Sequence, residues 1–416
     1  MSDIIESKLA SGERLTFCDG VRLFREFDFQ RVGMMADAVR RELHGVNAYY
    51  IVNAHVNPTN ICKICCPLCA FAAAEGDVRG YVLSVGEVLE RVKLAVENNV
   101  TQIHLVSSIH PTKPFAWYCE IISAIHEAFP SLQIKAYTAV EIAAFADSAG
   151  KSIDEVLSEL RSCGLSALPG GGAEIFDEGV RKKIAPNKIS ADVWLEVHRV
   201  AHKMGIVTNA SMLFGHVETY EQRVEHIIRL RDLQDESIKL QNGGESQQFI
   251  SKPVWAAGFA PEQPLRDATL ACPASGISKQ LEYNPVAQDQ NAPSIQSPTQ
   301  SSTGYFDCFV PLVYHGQNTQ LSRTTHIEPI SPQDILRTIA VSRLILRNIK
   351  HIKSYWVTLG ESLAQVALSY GADDFDGTVF EEKIHHEAGS NTPSGLTEQH
   401  LQNLITGANK IPVKKN

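Results

Sequence analysis

At 416 residues, 44% hydrophobic and 20% charged, the chain is long enough to bury one large core or two ordinary ones. A formal net charge of -9 excludes a nucleic-acid backbone or an anionic membrane surface as its main partner, while leaving room for a local basic pocket that holds a small anion. The amino-terminal run MSDIIESKLASGERLTF has no basic segment leading into an apolar one, and no apolar run approaches the ~20 residues that span a bilayer, so a cytoplasmic protein without membrane insertion is expected.

Residues 1–45 read as a helical extension, with charge interspersed through VRLFREFDFQRVGMMADAVRRELHG and a terminating glycine at Gly45. Tyr49 to Asn57 (YYIVNAHVN) reads as a buried strand that runs straight into a cluster of cysteines. From there the pattern alternates. VLERVKLAVENN precedes TQIHLVSS, WYCEIISAIHEAF precedes LQIKAYTA, DEVLSELRSCG precedes LSALPGG, and ADVWLEVHRVAHKMG precedes IVTNASMLFG. YEQRVEHIIRLRDLQ leads on to YFDCFVPLVY, PQDILRTIAVSRLILRN to HIKSYWVTLG, and ESLAQVALSYG to a weaker strand around Phe375 to Val379. Helices alternating with strands in this way predict an α/β fold, a (β/α)8 TIM-type barrel over residues 46–392, with a doubly wound open sheet as the alternative.

Residues 237–304 break the rhythm. The stretch NPVAQDQNAPSIQSPTQSSTG has too few large apolar groups to offset the entropy of ordering it. Lying after a helix and before a strand, this insertion is expected at the amino-terminal face of the barrel, away from the catalytic loops, with Trp255 and Phe259 able to pack part of it onto the body. Residues 393–416 read as a helical tail.

Nine cysteines are too sparse for a disulfide-built scaffold, and four of them fall between Cys62 and Cys69, which points to metal instead. Cys62, Cys66 and Cys69 in NPTNICKICCPLCAF form a C-x3-C-x2-C triplet. Three thiolates this close predict a [4Fe-4S] cluster with one iron left open for a small molecule. A structural zinc ion is the alternative, with Cys65 or His55 as fourth ligand. Cys65 adjoins Cys66 and must point elsewhere if Cys66 ligates.

The triplet and its place at a strand end resemble the radical S-adenosylmethionine enzymes. In series, HVNPTNIC, KAYTAVEI, LPGGGAEIF, KISADVWLEVHRVAHKMG, TNASMLFGHVET and GADDFDGTVFEEKIHHEAG resemble the aminofutalosine synthase family of the futalosine route to menaquinone. Near relatives are cyclic dehypoxanthine futalosine synthase and the tyrosine-using half of deazaflavin synthase. The resemblance covers nearly the whole chain outside 237–304. It implies that the open iron chelates the amino and carboxylate groups of S-adenosyl-L-methionine, and that reductive cleavage yields methionine and a 5'-deoxyadenosyl radical. That radical would add to the enolpyruvyl double bond of 3-[(1-carboxyvinyl)oxy]benzoate, a chorismate-derived small molecule; attack on the ring, rearrangement and loss of a carboxylate would leave 6-amino-6-deoxyfutalosine. A low-potential electron donor such as flavodoxin or ferredoxin is implied. A sibling that begins with hydrogen abstraction is the runner-up, and a non-enzymatic iron-sulfur or zinc protein the reading from another class. Two departures from the family pattern stand out: Leu68 stands where an aromatic residue usually precedes the last cysteine, and Ser107 and Ser108 replace a usual glycine pair beside the methionyl group.

The remaining candidates cluster at presumed strand ends. Gly170, Gly171 and Gly172 remove every Cβ from a turn and would let a flat ligand approach; Glu174 is a candidate for a ribose or substrate hydrogen bond, or for moving a proton. Glu141 is the corresponding acid one strand earlier, with a ribose diol as its expected partner and a helix N-terminus as the plain alternative. Asn209 and Ser211 share one strand face and are expected at the cofactor. His216, a second proton-transfer candidate, and Glu218 follow Gly215. Tyr314, His315 and Asn318 are expected at the mouth near the substrate, with Arg323 as a bidentate partner for a carboxylate. Of Tyr355 and Trp356, Trp356 is expected to stack on the substrate ring. His385 and His386 read as a cap over the site.

Overall fold

The computed structural model describes residues 3–241 and 304–415. Three helices, Asp3–Ser11, Phe17–Arg25 and Phe29–His44, open the chain as expected. Thr16 and Asp19 form a reciprocal capping box at the second, and Asp28 caps the third by accepting from the Arg31 N–H. The third buries Val32, Met35, Ala36 and Val39 and packs along the helix Pro332–Ile345.

The strands in chain order are β1 (Asn47–Ile51), β2 (Asn53–Val56), β3 (Gln102–Leu105), β4 (Gln133–Ala136), β5 (Ala167–Leu168), β6 (Val207–Phe214), β7 (Phe306–Val313), β8 (His351–Ile352), β9 (Asp374–Gly377) and β10 (Ile411–Lys414). β2 to β8 form one parallel sheet in sequential order, and β1 lies between β10 and β9 in a second. The segment containing β9 joins the two ends of the larger sheet: Lys353 bridges Asp374 on one side and Ala54 bridges Phe380 on the other. Backbone bonds Asp373 N–H to Ile352 O (3.0 Å) and His55 N–H to Phe380 O (2.7 Å) secure both seams. The weak eighth strand is thus the stave that closes the ring, which favours the barrel over the open sheet.

Within the ring, His55, His104 and Lys135 lie at one level of the register. Their neighbours Ile103, Leu105, Ile134 and Ala136 are fully buried. The two-residue period thus sends apolar side chains to the helices and polar ones into the barrel.

Three expectations shift at the edges. Tyr49–Asn57 is not one strand: it divides at Val52, whose carbonyl takes the Thr101 N–H, so that β1 leaves for the second sheet. The carboxyl-terminal segment is helix Glu398–Gly407 followed by β10, and Lys415 beyond it ion-pairs with Asp374. Residues 237–241 continue the helix Tyr220–Gln241, with Ser237 buried against His202 (2.7 Å). Gly304 N–H donates to His202 O at 2.6 Å, just before β6 begins, so the described flanks of the insertion lie on the amino-terminal side of the barrel. Trp255, Phe259 and the rest of that segment fall outside the described residues. Among the described residues, no helix is long and apolar enough to cross a membrane.

Candidate active site

The polar residues of NPTN build the cysteine loop. Asn57 Nδ2 donates to Val106 O (2.8 Å), the Thr59 hydroxyl to Tyr81 O (2.7 Å), and Asn60 both donates to Arg79 O (2.9 Å) and accepts from Tyr81 N–H (2.8 Å). Cys62 N–H to Ala73 O (3.0 Å) and Leu321 N–H to Pro67 O (2.9 Å) tie the loop down. Cys62, Cys66, Leu68 and Cys69 then line a single cavity at the carboxyl ends of the strands. Cys65 does not. It takes a positive φ of 47°, is exposed, and turns its thiol back onto Cys62 O (3.1 Å).

Ser107 and Ser108 face the same cavity. The Ser107 hydroxyl is buried with no hydrogen-bond partner, while its N–H donates to Glu141 Oε1 (2.8 Å). Glu141 lines the cavity, but its other oxygen is taken by the Thr138 N–H (2.7 Å) and hydroxyl (2.9 Å), so it serves as the capping residue of helix Ala139–Ala149. Burial pushes its carboxyl up to about 7 against the pull of those donors.

Gly170, Gly171 and Gly172 line the cavity too, yet the space their missing Cβ atoms leave is filled by protein. A Cβ at Gly170 would lie 2.7–2.9 Å from the backbone of Asn209, Ala210 and Ser211, and one at Gly172 (φ 84°) would lie 2.3 Å from Val140. Packing alone therefore requires glycine at 170, against β6, and at 172, against Val140 of the helix Ala139–Ala149. Gly170→Ala is expected to destabilise the fold by about 1–3 kcal/mol, measured as a lowered denaturation midpoint. The Arg181 guanidinium holds the turn from beneath, donating to the carbonyls of Ala173 (2.5 Å) and Ile175 (3.1 Å), and Ser211 donates to Gly170 O (2.5 Å). Asn209 reaches the cavity, and its amide makes no hydrogen bond among the described residues.

Glu174, at φ 46°, projects into the cavity and ion-pairs with Lys188. Burial alone would raise the Glu174 carboxyl; Lys188 overrides it and holds the group below its ordinary value. Burial pushes the Cys66 thiol up to about 12, and the same Lys188 pulls it down. A positively charged metal centre is what such thiols need to ionise.

Several substrate candidates do not reach the cavity. The His216 ring is enclosed, with nitrogens 2.8 Å from Glu218 Oε2 and 3.0 Å from Leu213 O. Glu218 accepts from Gly215 N–H (2.7 Å), His216 N–H (2.9 Å) and Arg223 Nε (2.8 Å). Both brace the loop after β6. Asn318 is spent on Glu387 O (2.8 Å), and Arg323 is exposed on the short helix Gln320–Thr324. Arg323→Ala is expected to leave kcat and KM within about twofold of wild type, as surface substitutions generally do; a steady-state assay checks it. Trp356 is fully buried and donates to Gly377 O (2.8 Å), because the pair 355–356 lies at the start of a helix and not on a strand. Tyr355 is the one that faces inward, edge-on to His385. Tyr314 and His315 do line the cavity, tethered to Thr319 (2.5 Å) and Thr358 O (3.0 Å).

Sequence reading passed over Gln102, His104, Lys135, Lys188, Lys353, Asp376 and Glu382, all on the cavity wall. His104 and Lys135 had a signal: with Gln102 and Gln133 they make polar residues alternate with apolar ones along β3 and β4.

The donor set fits a cluster. Three thiols open on one cavity beside an unsatisfied hydroxyl, with neither proposed fourth zinc ligand available: Cys65 turns away, and His55 lies 3.2 Å from the His104 ring. Among the described residues, metal-capable atoms within 4.8 Å of one another occur instead at His44, His351 and Asp373, where Asp373 is already paired with Arg343.

Comparison with known proteins agrees. Residues 56–230 match the model of the radical SAM superfamily, and residues 302–416 that of the CofH/MqnC C-terminal region. Aminodeoxyfutalosine synthase of Thermus thermophilus is 38% identical over 99% of this chain and 93% of its own length. That of Streptomyces coelicolor is 34% identical over 99% and 92%. Among solved structures, methylornithine synthase (PylB) superposes with a TM-score of 0.66 at 14% identity, covering 98% of this chain and 97% of that one, which shows the shared fold. The cysteine triplet, the closed barrel and these full-length matches place the chain in the radical S-adenosylmethionine superfamily, within the family of the aminodeoxyfutalosine synthases.

Proposed function

We propose that the protein is an aminodeoxyfutalosine synthase, joining the 5'-deoxyadenosyl group of S-adenosyl-L-methionine to 3-[(1-carboxyvinyl)oxy]benzoate to give 6-amino-6-deoxyfutalosine, methionine and CO2 or bicarbonate, in the cytoplasm. The observation that carries it is the convergence of the Cys62, Cys66 and Cys69 thiols on one strand-end cavity, in a chain matched from end to end by synthases of that name. A [4Fe-4S] cluster with S-adenosylmethionine, reduced by a low-potential donor such as flavodoxin or ferredoxin, would supply the adenosyl radical.

The chain's own residues do the rest. Cys62, Cys66 and Cys69 would hold the cluster, with the apolar Leu68 on the same cavity wall. The free Ser107 hydroxyl and the Asn209 amide offer hydrogen bonds to the polar groups of S-adenosylmethionine. Glu174, kept ionised by Lys188, is an acceptor for a ribose hydroxyl. Leu213, Val310 and Leu312 give the alkene and its ring an apolar wall.

The test is a substrate panel. Reduced, reconstituted protein is given the enolpyruvyl benzoate, dehypoxanthine futalosine or tyrosine with its uracil co-substrate, each with S-adenosylmethionine. Consumption of the enolpyruvyl benzoate alone supports the assignment; consumption of either other substrate in its place overturns it.

A further inference from the structure

The cavity has two unlike walls. In the closed ring β3 stands across from β7 and β2 from β6. Asn53, His55, Gln102, His104 and Lys135 project from β2, β3 and β4, whereas Leu213, Val310 and Leu312 project from β6 and β7. The first side is polar and basic, whereas the second sets these apolar side chains beside Asn209 and Ser211 of β6.

The cations on the wall are not equivalent. Lys188 is paired with Glu174 and Lys353 with Asp376. Lys135 makes no ion pair or hydrogen bond among the described residues, although burial and the nearby Lys353 hold its ammonium down to about 8. Beside it in the register, His104 spends Nδ1 on His55 Nε2 (3.2 Å) and leaves Nε2 without a partner. Burial pushes both imidazoles below their ordinary value, so they are neutral and add no cation. A desolvated ammonium with no carboxylate within ion-pair distance is a standing cost, offset only in part by the field of Asp307, that an incoming anion relieves.

Depth assigns the anion. Lys135 lies on β4 three residues inside Thr138, where the strand gives way to its helix, whereas the cysteine thiols belong to a loop beyond the strand ends. A ligand gripped by Lys135 therefore points its gripped end away from the cluster. We propose that Lys135, with His104 beside it, binds the ring carboxylate of the aromatic acid substrate, whose ring lies against Val310 and Leu312. This rests on the function proposed above and names the residue that fixes which end of the substrate faces the radical.

The experiment measures dissociation constants by calorimetry on reconstituted, unreduced protein with S-adenosylmethionine present, so that no turnover occurs. The probes are 3-[(1-carboxyvinyl)oxy]benzoate and its ring carboxamide, against wild type, Lys135→Met and Lys135→Arg. Wild type is expected to prefer the benzoate by about 10- to 100-fold, the usual worth of a hydrogen bond to a charged group. Lys135→Met should bind the two within about threefold of each other with its carboxamide affinity unchanged, and Lys135→Arg should keep part of the preference. A Lys135→Met protein that retains the wild-type preference overturns the inference alone. A wild type that binds neither probe overturns the proposed function, and the inference with it. Circular dichroism shows whether Lys135→Met folds; if it does not, Lys135→Arg decides, since a preference unchanged from wild type in both affinity and ratio with a displaced guanidinium contradicts a specific Lys135 contact.

Discussion

Cys62→Ala, Cys66→Ala and Cys69→Ala are each expected to bring turnover to background, with iron and acid-labile sulfide falling far below wild type, while Cys65→Ala retains both. The first three thiols line the cavity, and the fourth points outward from a left-handed position in the same loop. With only three ligands available, no neighbour replaces a lost one: His55 sits with His104 in the wall below. The backbone bonds that hold the loop come from Cys62, Lys63, Leu68 and Cys69 N–H groups and are untouched by side-chain truncation. The loop should therefore keep its path in all four variants, and the loss should be specific to the metal. An inactive, iron-free Cys65→Ala would reverse the ligand assignment.

Lys188→Met is expected to lower turnover on the order of 100-fold, the scale set by removing one preorganised charge from an active site. Lys188 keeps Glu174 ionised and faces the Cys66 and Cys69 thiols at the same time. Glu174 is buried and Lys188 largely so, and leaving Glu174 alone should also cost about 3 kcal/mol of stability. Glu174→Gln combined with Lys188→Met removes the orphan charge. The double variant should recover most of the stability but not the turnover. Denaturation midpoints and single-turnover assays on the two single variants and the double separate these effects. Recovery of both together would reduce the pair to a structural role.

The barrel was legible because its helices and strands alternate with distinct periods, and even the faint stave near Phe375 is real as β9. The cysteine triplet was legible because its spacing is local. What escaped were contacts made across the ring. His216 and Glu218 carry the right chemistry at the right strand end, but Arg223, arriving from the following helix, claims the carboxylate and turns the pair into a brace. The choice of Trp356 over Tyr355 failed because the strand ends early, at Ile352, and two-residue periodicity no longer governs positions in the helical turn beyond it. The glycine run lines the cavity as its place at a strand end suggested, and a packing demand that only the fold reveals, from β6 and Val140, falls on it as well. Lys135 and His104 could have been found, since polar side chains at every second position of a buried strand mark the face that lines the barrel.

The central claim is that the adenosyl group is transferred whole, and adenosyl-labelled S-adenosylmethionine tests it most directly. Reduced, reconstituted protein is incubated without oxygen with the labelled compound and 3-[(1-carboxyvinyl)oxy]benzoate, and products are followed by mass spectrometry. The intact label is expected in 6-amino-6-deoxyfutalosine, matched one for one by methionine. Label recovered only as free 5'-deoxyadenosine, with no covalent adduct, would contradict it.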